Sequence, residues 1–102
     1  MIIYNVTVSV EDNIKKDWLD WMINIHIPEV MSCGIFTKAQ INHVIVQGDS
    51  DNTFAISYTC SSMQKLHQYQ LKFAPDLQKK YIKRFGEGAL AFRTVMRVIK
   101  EF

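Results

Sequence analysis

The chain has 102 residues, of which 48% are hydrophobic and 22% are charged, and its formal net charge is +2. This size predicts a single domain over residues 1–102, whose core can bury roughly two-thirds of the unfolded surface without a disulfide or a metal. The composition excludes disordered and fibrous proteins. No apolar run approaches the roughly 20 residues of a membrane-spanning helix. The alternating start is unlike a signal peptide, so we expect a cytoplasmic protein with no membrane partner.

Charge is distributed unevenly along the chain. Met1–Cys60 holds three basic and seven acidic residues, a net charge of −4, whereas Ser61–Phe102 holds nine basic and three acidic residues, a net charge of +6. The two halves either present complementary surfaces, within the fold or across a dimer, or the second half carries an anion-attracting patch. The residues of such a patch would be Lys79, Lys80, Lys83, Arg84 and Arg93.

The first third of the chain predicts a strand followed by a helix. Residues from Ile3 to Val10 alternate in character, as in a strand. Asp12 offers a helix N-cap, and Pro28 should end or kink the helix because it lacks a backbone donor, with Gly34 as a stop after it. The apolar stripe of this helix comprises Ile14, Trp18, Trp21, Met22 and Ile25.

The remainder predicts two strands, a helix and a last strand. Thr37–Gln47 and Thr53–Cys60 should form a hairpin around the turn-like segment Gly48–Asn52. Ser61 then begins a capping-box pattern, and the helix that follows is interrupted at Pro75. The helix ends at the glycines Gly86 and Gly88, and a strand runs from about Leu90 to Ile99.

This order, βαββαβ, predicts an α+β ferredoxin-like fold with a four-stranded antiparallel sheet. Both helical segments cover one face of the sheet, and the first and third strands lie in its centre. The large apolar positions of those two strands should meet the helices, and these are Tyr4, Val6, Val8, Val10, Phe54, Ile56, Tyr58 and Cys60.

The other face of the sheet, called the open face below, carries small and mildly polar residues on its central strands. These are Asn5, Thr7, Ser9, Ala55, Ser57 and Thr59. Ile41 and Ile45, or Phe92, Met96 and Val98, would add apolar edges to this face. Such a face is either solvated or covered by a second copy of the chain, and we favour a homodimer that encloses a cavity over the small residues.

Three stretches carry a resemblance to a known family. They are Met1–Val8; the run Trp18-Leu19, Trp21-Met22, His26-Ile27-Pro28-Glu29-Val30-Met31, Gly34 and Phe36; and the set Phe73-Ala74-Pro75, Leu77, Arg84-Phe85-Gly86 and Ala91-Phe92-Arg93-Thr94. With these residues, the chain resembles a bacterial family catalogued as domain of unknown function 4286. The layout is also similar to the dimeric α/β-barrel superfamily, which includes small monooxygenases, haem-degrading enzymes, lactone isomerases and ligand-binding regulatory domains.

His26 is the first candidate for chemistry. It precedes Pro28, and Glu29 lies three residues later, where it could orient the imidazole or raise its pKa. The superfamily resemblance implies that a histidine near the first helix can carry a proton or ligate haem. Alternatively, His26 satisfies a carbonyl freed at the helix end.

The candidate ligand-binding residues fall into three groups. Arg84 and Arg93 could each hold a carboxylate or phosphate, or form an ion pair with Glu29 or Asp20. Polar residues of the open face would line the dimer cavity, unless they are ordinary strand composition. Aromatic residues would line an apolar pocket, or simply belong to the core. The polar group is Asn5, Thr7, Ser57 and Thr59, and the aromatic group is Trp18, Trp21, Phe36 and Phe85.

These patterns favour a homodimer that binds a small, partly apolar or anionic ligand between the sheet faces. The alternatives are a non-catalytic protein-interaction module and a cofactor-free monooxygenase or haem-degrading enzyme. The three histidines are scattered and the cysteines Cys33 and Cys60 form no CxxC motif, so we predict free thiols and no metal site or cofactor. The central strands present no stacking aromatics on the open face, and we expect no nucleic-acid partner.

Overall fold

The computed structural model describes residues 1–48 and 51–102, apart from the side chain of Glu87. Its sheet contains β1 (Ile2–Val10), β2 (Lys38–His43), β3 (Thr53–Cys60) and β4 (Ala89–Arg97). All neighbours are antiparallel in the order β2-β3-β1-β4. β2 is shorter than the predicted Thr37–Gln47, and the predicted turn at Gly48–Asn52 includes residues 49 and 50, which lie outside the described residues.

The helices are α1 (Lys15–Trp21), α2 (Ile27–Ser32), α3 (Met63–Lys72) and α4 (Ala74–Phe85). Ser62, not the predicted Ser61, caps α3, because its side chain accepts a hydrogen bond from the backbone N–H of Lys65. Pro75 stands in the first turn of α4, where its missing N–H costs nothing. This element order and strand order are those of the predicted ferredoxin-like fold.

α1 and α2 form one continuous helical segment through a π-helical turn, Met22–His26. The N–H of Ile27 bonds to the carbonyl of Met22, five residues back. This wider turn relieves the conflict between Pro28 and the preceding turn, so the predicted interruption is a bulge and not an end. The bulge shifts the buried stripe: Val30, which follows the bulge, is buried, whereas Ile25, a predicted stripe residue within it, is 46% exposed.

The core lies between the helices and one face of the sheet. The predicted positions on β1 and β3 are buried there, with Val6 half-buried, and Leu66 and Trp18 pack on them from the helices. Trp18 is in the core and packs on Phe54, with a ring-centroid distance of 5.2 Å. Cys33 and Cys60 are free thiols.

The strand register determines which side chains reach the open face. Phe92 lies opposite Thr7, and Met96 lies opposite Ile3, so both are on the open face as predicted. The expectation for Ile41 is wrong, because Ile41 pairs with Ile56 and therefore lies on the helix face. Ile45 lies beyond the end of β2. No helix in the described part of the chain is long and apolar enough to cross a membrane.

Candidate functional site

A pocket lies between the helices and the sheet, on the side opposite to the open face. It is small, with a cavity volume of about 40 Å³, and it opens to solvent at its mouth. The half-buried Val6 and its neighbours Val8, Ile56 and Ala91 form the floor. The walls and mouth are Tyr4, Met22, His26, Tyr58, Tyr69, Leu77, Gln78, Tyr81 and Arg93. The small side chains of the floor leave room where larger ones would have met the helices.

The pocket has a polar gradient from its mouth to its interior. Arg93 and Gln78 are exposed members of the lining, whereas Tyr4, Tyr58 and Tyr69 are buried. On the sheet, Arg93 of β4 lies opposite Val6 of β1, one diagonal step from the next helix-facing residue, Tyr4. A charged group therefore stands at the entrance, and phenol rings stand behind it.

Arg93 is the cation of the pocket. Within the described residues, no ion pair or hydrogen bond engages its guanidinium. Its positive charge nevertheless acts on the pocket: it adds to the lowering of the His26 pKa by burial, and it partly offsets the rise that burial causes in the pKa values of Tyr69 and Tyr81. A guanidinium offers five donors in a planar fork that suits a carboxylate or a phosphate. Arg93 thus has its full binding capacity available to an anion.

His26 reaches the pocket from the π-helical turn. Its ring stacks on Trp21, with a centroid distance of 5.1 Å, and lies 5.9 Å from the ring of Tyr81. Burial lowers the pKa of His26 to about 4; the carboxylate of Glu29 opposes this shift, and Arg93 and Lys80 add to it. At neutral pH the imidazole is therefore uncharged, with one nitrogen free to accept a proton.

Three tyrosines form the inner wall around Phe36. The ring of Phe36 lies 5.1 Å from Tyr58, 4.9 Å from Tyr69 and 6.3 Å from Tyr4. Burial raises the pKa values of Tyr58 and Tyr69, and each of them is raised further by a neighbouring tyrosine. These hydroxyls remain protonated at neutral pH, and in the part of the chain that the structure describes they have no hydrogen-bond partner.

Tyr81 differs from the other tyrosines because its hydroxyl is occupied. It accepts a hydrogen bond from the indole Nε1 of Trp18 at 3.0 Å and donates one to the carbonyl of Ala89 at 3.2 Å. Burial raises its pKa. Tyr81 therefore ties α4 to α1 and to the start of β4, and it contributes its ring to the pocket wall.

The structure brings two of the predicted site residues, His26 and Arg93, together in this pocket. Glu29 is close enough to raise the pKa of His26, but its carboxylate bonds to Lys80 Nζ at 2.9 Å. Arg84 binds neither Glu29 nor Asp20, as the ion-pair alternative suggested; it bonds to both carboxylate oxygens of Asp17, at 3.0 and 3.2 Å. Both ion pairs join a basic residue of the second part of the chain to an acidic residue of the first part. They support the alternative in which the unevenly distributed charges form complementary surfaces within the fold.

The predicted aromatic residues support the pocket from outside its lining. Trp21 lies behind His26, and Phe85 packs edge-on against Trp21 at 5.2 Å. Trp18 holds Tyr81 through its indole N–H. Phe36 packs against all three inner tyrosines. These aromatic residues would therefore influence ligand binding indirectly, by positioning lining residues such as His26 and Tyr81.

The predicted polar residues lie on the open face, away from the pocket. Ser57 donates to Asn5 Oδ1 at 3.1 Å, and Asn5 Nδ2 donates to Thr7 Oγ1 at 3.0 Å. Ser57 and Thr59 also line a shallow depression with Lys38 and other neighbours. A ligand site on this face stays a prediction, and three of these side chains, Asn5, Thr7 and Ser57, already bond to one another.

Sequence reasoning placed Tyr4 and Tyr58 in the core and gave no binding role to Tyr69, Tyr81 or Gln78. A tyrosine within an apolar stripe is usually a packing residue, so its spacing does not reveal a free hydroxyl. The sequence did contain one signal for this pocket wall. Tyr4 and Tyr58 occupy paired positions on β1 and β3 and both face the helices. Among the described residues, no group of three metal-ligating side chains comes together.

The fold and this pocket define a ferredoxin-like α+β protein with a cleft between its helices and its sheet. The chain belongs to the family described as Domain of unknown function (DUF4286), whose model matches residues 1–99. This confirms the resemblance found in the sequence. No curated protein sequence matches the chain significantly.

Solved structures confirm the fold at low sequence identity. A dimeric ferredoxin-like protein from an uncultured marine organism is 13% identical, with a TM-score of 0.79, and the match covers 99% of this chain and 97% of that chain. An ethyl tert-butyl ether d (EthD) family protein from Bacillus halodurans c-125 is 13% identical, with a TM-score of 0.75 and coverage of 97% and 100%. A MhuD mutant with two manganese protoporphyrin IX molecules bound per active site is 13% identical, with a TM-score of 0.71 and coverage of 100% and 98%.

Proposed function

We propose that this protein is a homodimer that binds a small organic molecule in the helix-side pocket of each subunit. The observation that carries the proposal is an unpaired guanidinium, Arg93, beside a neutral imidazole, His26, in an aromatic pocket. A mostly apolar pocket with a few converging polar groups is a typical ligand site. The ligand site thus lies on the helix side, and the open face serves self-association.

Self-association is supported by the apolar residues of the open face. Leu90 is 66% exposed and Phe92 is 64% exposed, and Met96 lies further along the same side of β4. Exposed apolar groups in a contiguous patch usually mark an interface. A solved neighbour with this fold is described as dimeric.

Light scattering with size-exclusion chromatography tests the dimer. The wild-type protein should elute at twice the mass of one chain, and Phe92→Asp should shift it to the monomer because a charge cannot be buried unpaired in such an interface. Leu71→Asp is the matched control, since Leu71 is 79% exposed on α3 and away from the open face. A wild-type monomer at high concentration would remove this part of the proposal.

Ligand binding is tested with Trp21, whose indole stacks on His26 and so reports on the pocket. Aromatic acids, quinones and haem form a suitable panel for fluorescence titration. Binding should quench or shift the emission, and Arg93→Gln should weaken it. Arg97→Gln is the control, because Arg97 lies on the same side of β4 without lining the pocket. No response across the panel would refute the binding site.

An enzymatic role would depend on His26. A neutral imidazole can act as a general base toward a ligand bound beside it, and this is the role that we assign to His26. Haem degradation is the second enzymatic candidate, suggested by the porphyrin-bound MhuD structure. A Soret shift on haem addition that disappears in His26→Ala would support it, and an unchanged haem spectrum would exclude it.

A further inference from the structure

An open groove lies between α4 and the helical segment formed by α1 and α2, and it is called the outer groove below. Its cavity volume is about 510 Å³, against about 40 Å³ for the helix-side pocket. None of its lining residues lines that pocket, so the outer groove is a separate candidate site. The lining residues are Trp21, Ile25, Glu29, Lys80, Lys83 and Arg84.

Two ion pairs bound the floor of the outer groove. Arg84 bonds to Asp17 at 3.0 and 3.2 Å, and Lys80 bonds to Glu29 at 2.9 Å, so both pairs join α4 to the other helical segment. The two apolar lining residues come between Asp17 and Glu29 in the sequence, and their floor therefore has an ion pair on each side. This arrangement favours a compact ligand over a protein segment that would run along the groove.

The floor is apolar and partly open to solvent. Ile25 is 46% exposed, because the π-helical turn directs it away from the sheet. Trp21 is 9% exposed, and His26 stacks on its ring. Little of the indole is thus available for stacking a planar group, whereas an alkyl chain can cover its exposed edge together with Ile25. Such a chain would be removed from water there, which favours binding.

Lys83 supplies the charge that selects the ligand. Among the described residues, no ion pair or hydrogen bond engages its ammonium group, whereas Lys80 and Arg84 are both paired. The lining holds three basic residues and one carboxylate, a net charge of +2. A carboxylate can form a charge-assisted hydrogen bond with the free ammonium, and a cation would be repelled.

We propose that the outer groove is a second binding site, which takes a small aliphatic acid. The carboxylate of the ligand bonds to Lys83 Nζ, and its alkyl chain covers Ile25 and the exposed edge of Trp21. This site goes beyond the proposed function, because it uses none of the residues that line the helix-side pocket. The two sites share a wall, since Trp21 lines the outer groove and stacks on His26.

Four matched probes test the ligand class by NMR titration of isotope-labelled protein. Octanoate has the charge and the alkyl chain, octanamide lacks the charge, octylammonium reverses it, and acetate lacks the chain. Octanoate should bind about twofold to fivefold more tightly than octanamide, the size expected for an ion pair in contact with solvent. It should bind at least about fifteenfold more tightly than acetate, because each buried methylene group adds about fourfold.

The indole N–H signals locate the bound probe. The signal of Trp21 should shift on addition of octanoate. The signal of Trp18 should stay in place, because Trp18 is buried and its indole N–H bonds to Tyr81. The probe preferences and these signals of the wild-type protein test the proposal independently of any variant.

Variants assign the preferences to residues. Lys83→Gln should abolish the preference for octanoate over octanamide, and Lys79→Gln should retain it, since Lys79 is exposed on α4 without lining the groove. Ile25→Asn should weaken the binding of both probes alike. Ile23→Asn is its control, because Ile23 is 51% exposed in the same helical turn and lies outside the lining. Thermal unfolding shows whether each variant is folded.

A preference for octanoate that is lost in Lys83→Gln and kept in Lys79→Gln would support the proposal. The proposal is wrong if octanamide or octylammonium binds as well as octanoate, or if no probe binds. It is also wrong if the shifts centre on Val6 and Arg93, because the acid then occupies the helix-side pocket. The proposed function is tested through Arg93 and stands or falls separately.

Two other occupants of the groove would also overturn the proposal. If Ile25→Asn halves the mass measured by light scattering, a second copy of the chain covers the groove. If a short acidic peptide with one phenylalanine shifts the same signals and binds more tightly than octanoate, the groove is a docking site for a protein.

Discussion

The protonation of His26 should make the protein less stable as the pH falls below neutral. Burial lowers its folded-state pKa to about 4, below the ordinary value of 6.5. Between these two values the unfolded chain binds a proton that the folded protein does not, so acid favours unfolding. From about pH 7.5 to about pH 5, this linkage costs about 1 to 2 kcal/mol of unfolding free energy after allowance for the partial exposure of the ring.

Urea unfolding at several pH values, followed by circular dichroism, measures this effect. His26→Phe keeps an aromatic ring against Trp21 and removes the titrating group, so its stability should fall less over the same range. His67→Gln removes an exposed histidine of α3 and controls for the loss of an imidazole. If His26→Phe and the wild type lose stability equally, His26 is not held neutral by the fold and the electrostatic description of the pocket is incorrect.

Three substitutions test the fold that builds the site, each by chemical denaturation. Leu66→Ala should lose about 2–5 kcal/mol of unfolding free energy, because Leu66 is fully buried and its removal leaves a cavity; a loss under about 1 kcal/mol would contradict this packing. Tyr81→Phe should lose about 1–3 kcal/mol, since it removes the acceptor of the Trp18 N–H; unchanged stability would mean that this bond adds nothing. Gly86→Ala should lose about 1–3 kcal/mol from backbone strain alone, because Gly86 has a φ of 57° and no atom within 4 Å of the added methyl; a neutral result would show that the chain relaxes there.

The sequence was sufficient to predict the sheet and its two faces. The alternation around Tyr4 and Phe54 gave the buried side of the central strands, and the register confirms it. Ile41 shows the limit of this reasoning. The alternation from Lys38 to Asn42 places Ile41 on the same side of its strand as Ala39. The face of the sheet that this side meets depends on the pairing of Ile41 with Ile56, which the fold determines.

The candidate site was harder to predict, because it depends on contacts between distant segments. His26 and Arg93 were recognised one by one from their chemistry, but nothing in their spacing indicates that they share a pocket. The roles of Tyr58 and Tyr69 were hidden for a different reason. Whether a phenol hydroxyl has a partner depends on three-dimensional neighbours, and their apolar spacing indicated packing alone.

The bulge Met22–His26 has a consequence for how the pocket arises. In an uninterrupted α-helix the stripe that begins at Trp18 would continue through Ile25 and Glu29. The one extra residue in this turn moves His26 and Val30 into those places and turns Ile25 outward. Closing this turn to the α-helical hydrogen-bond pattern would therefore place the side chains of Ile25 and Glu29 toward the sheet. The pocket would then lose the imidazole of His26 from its lining.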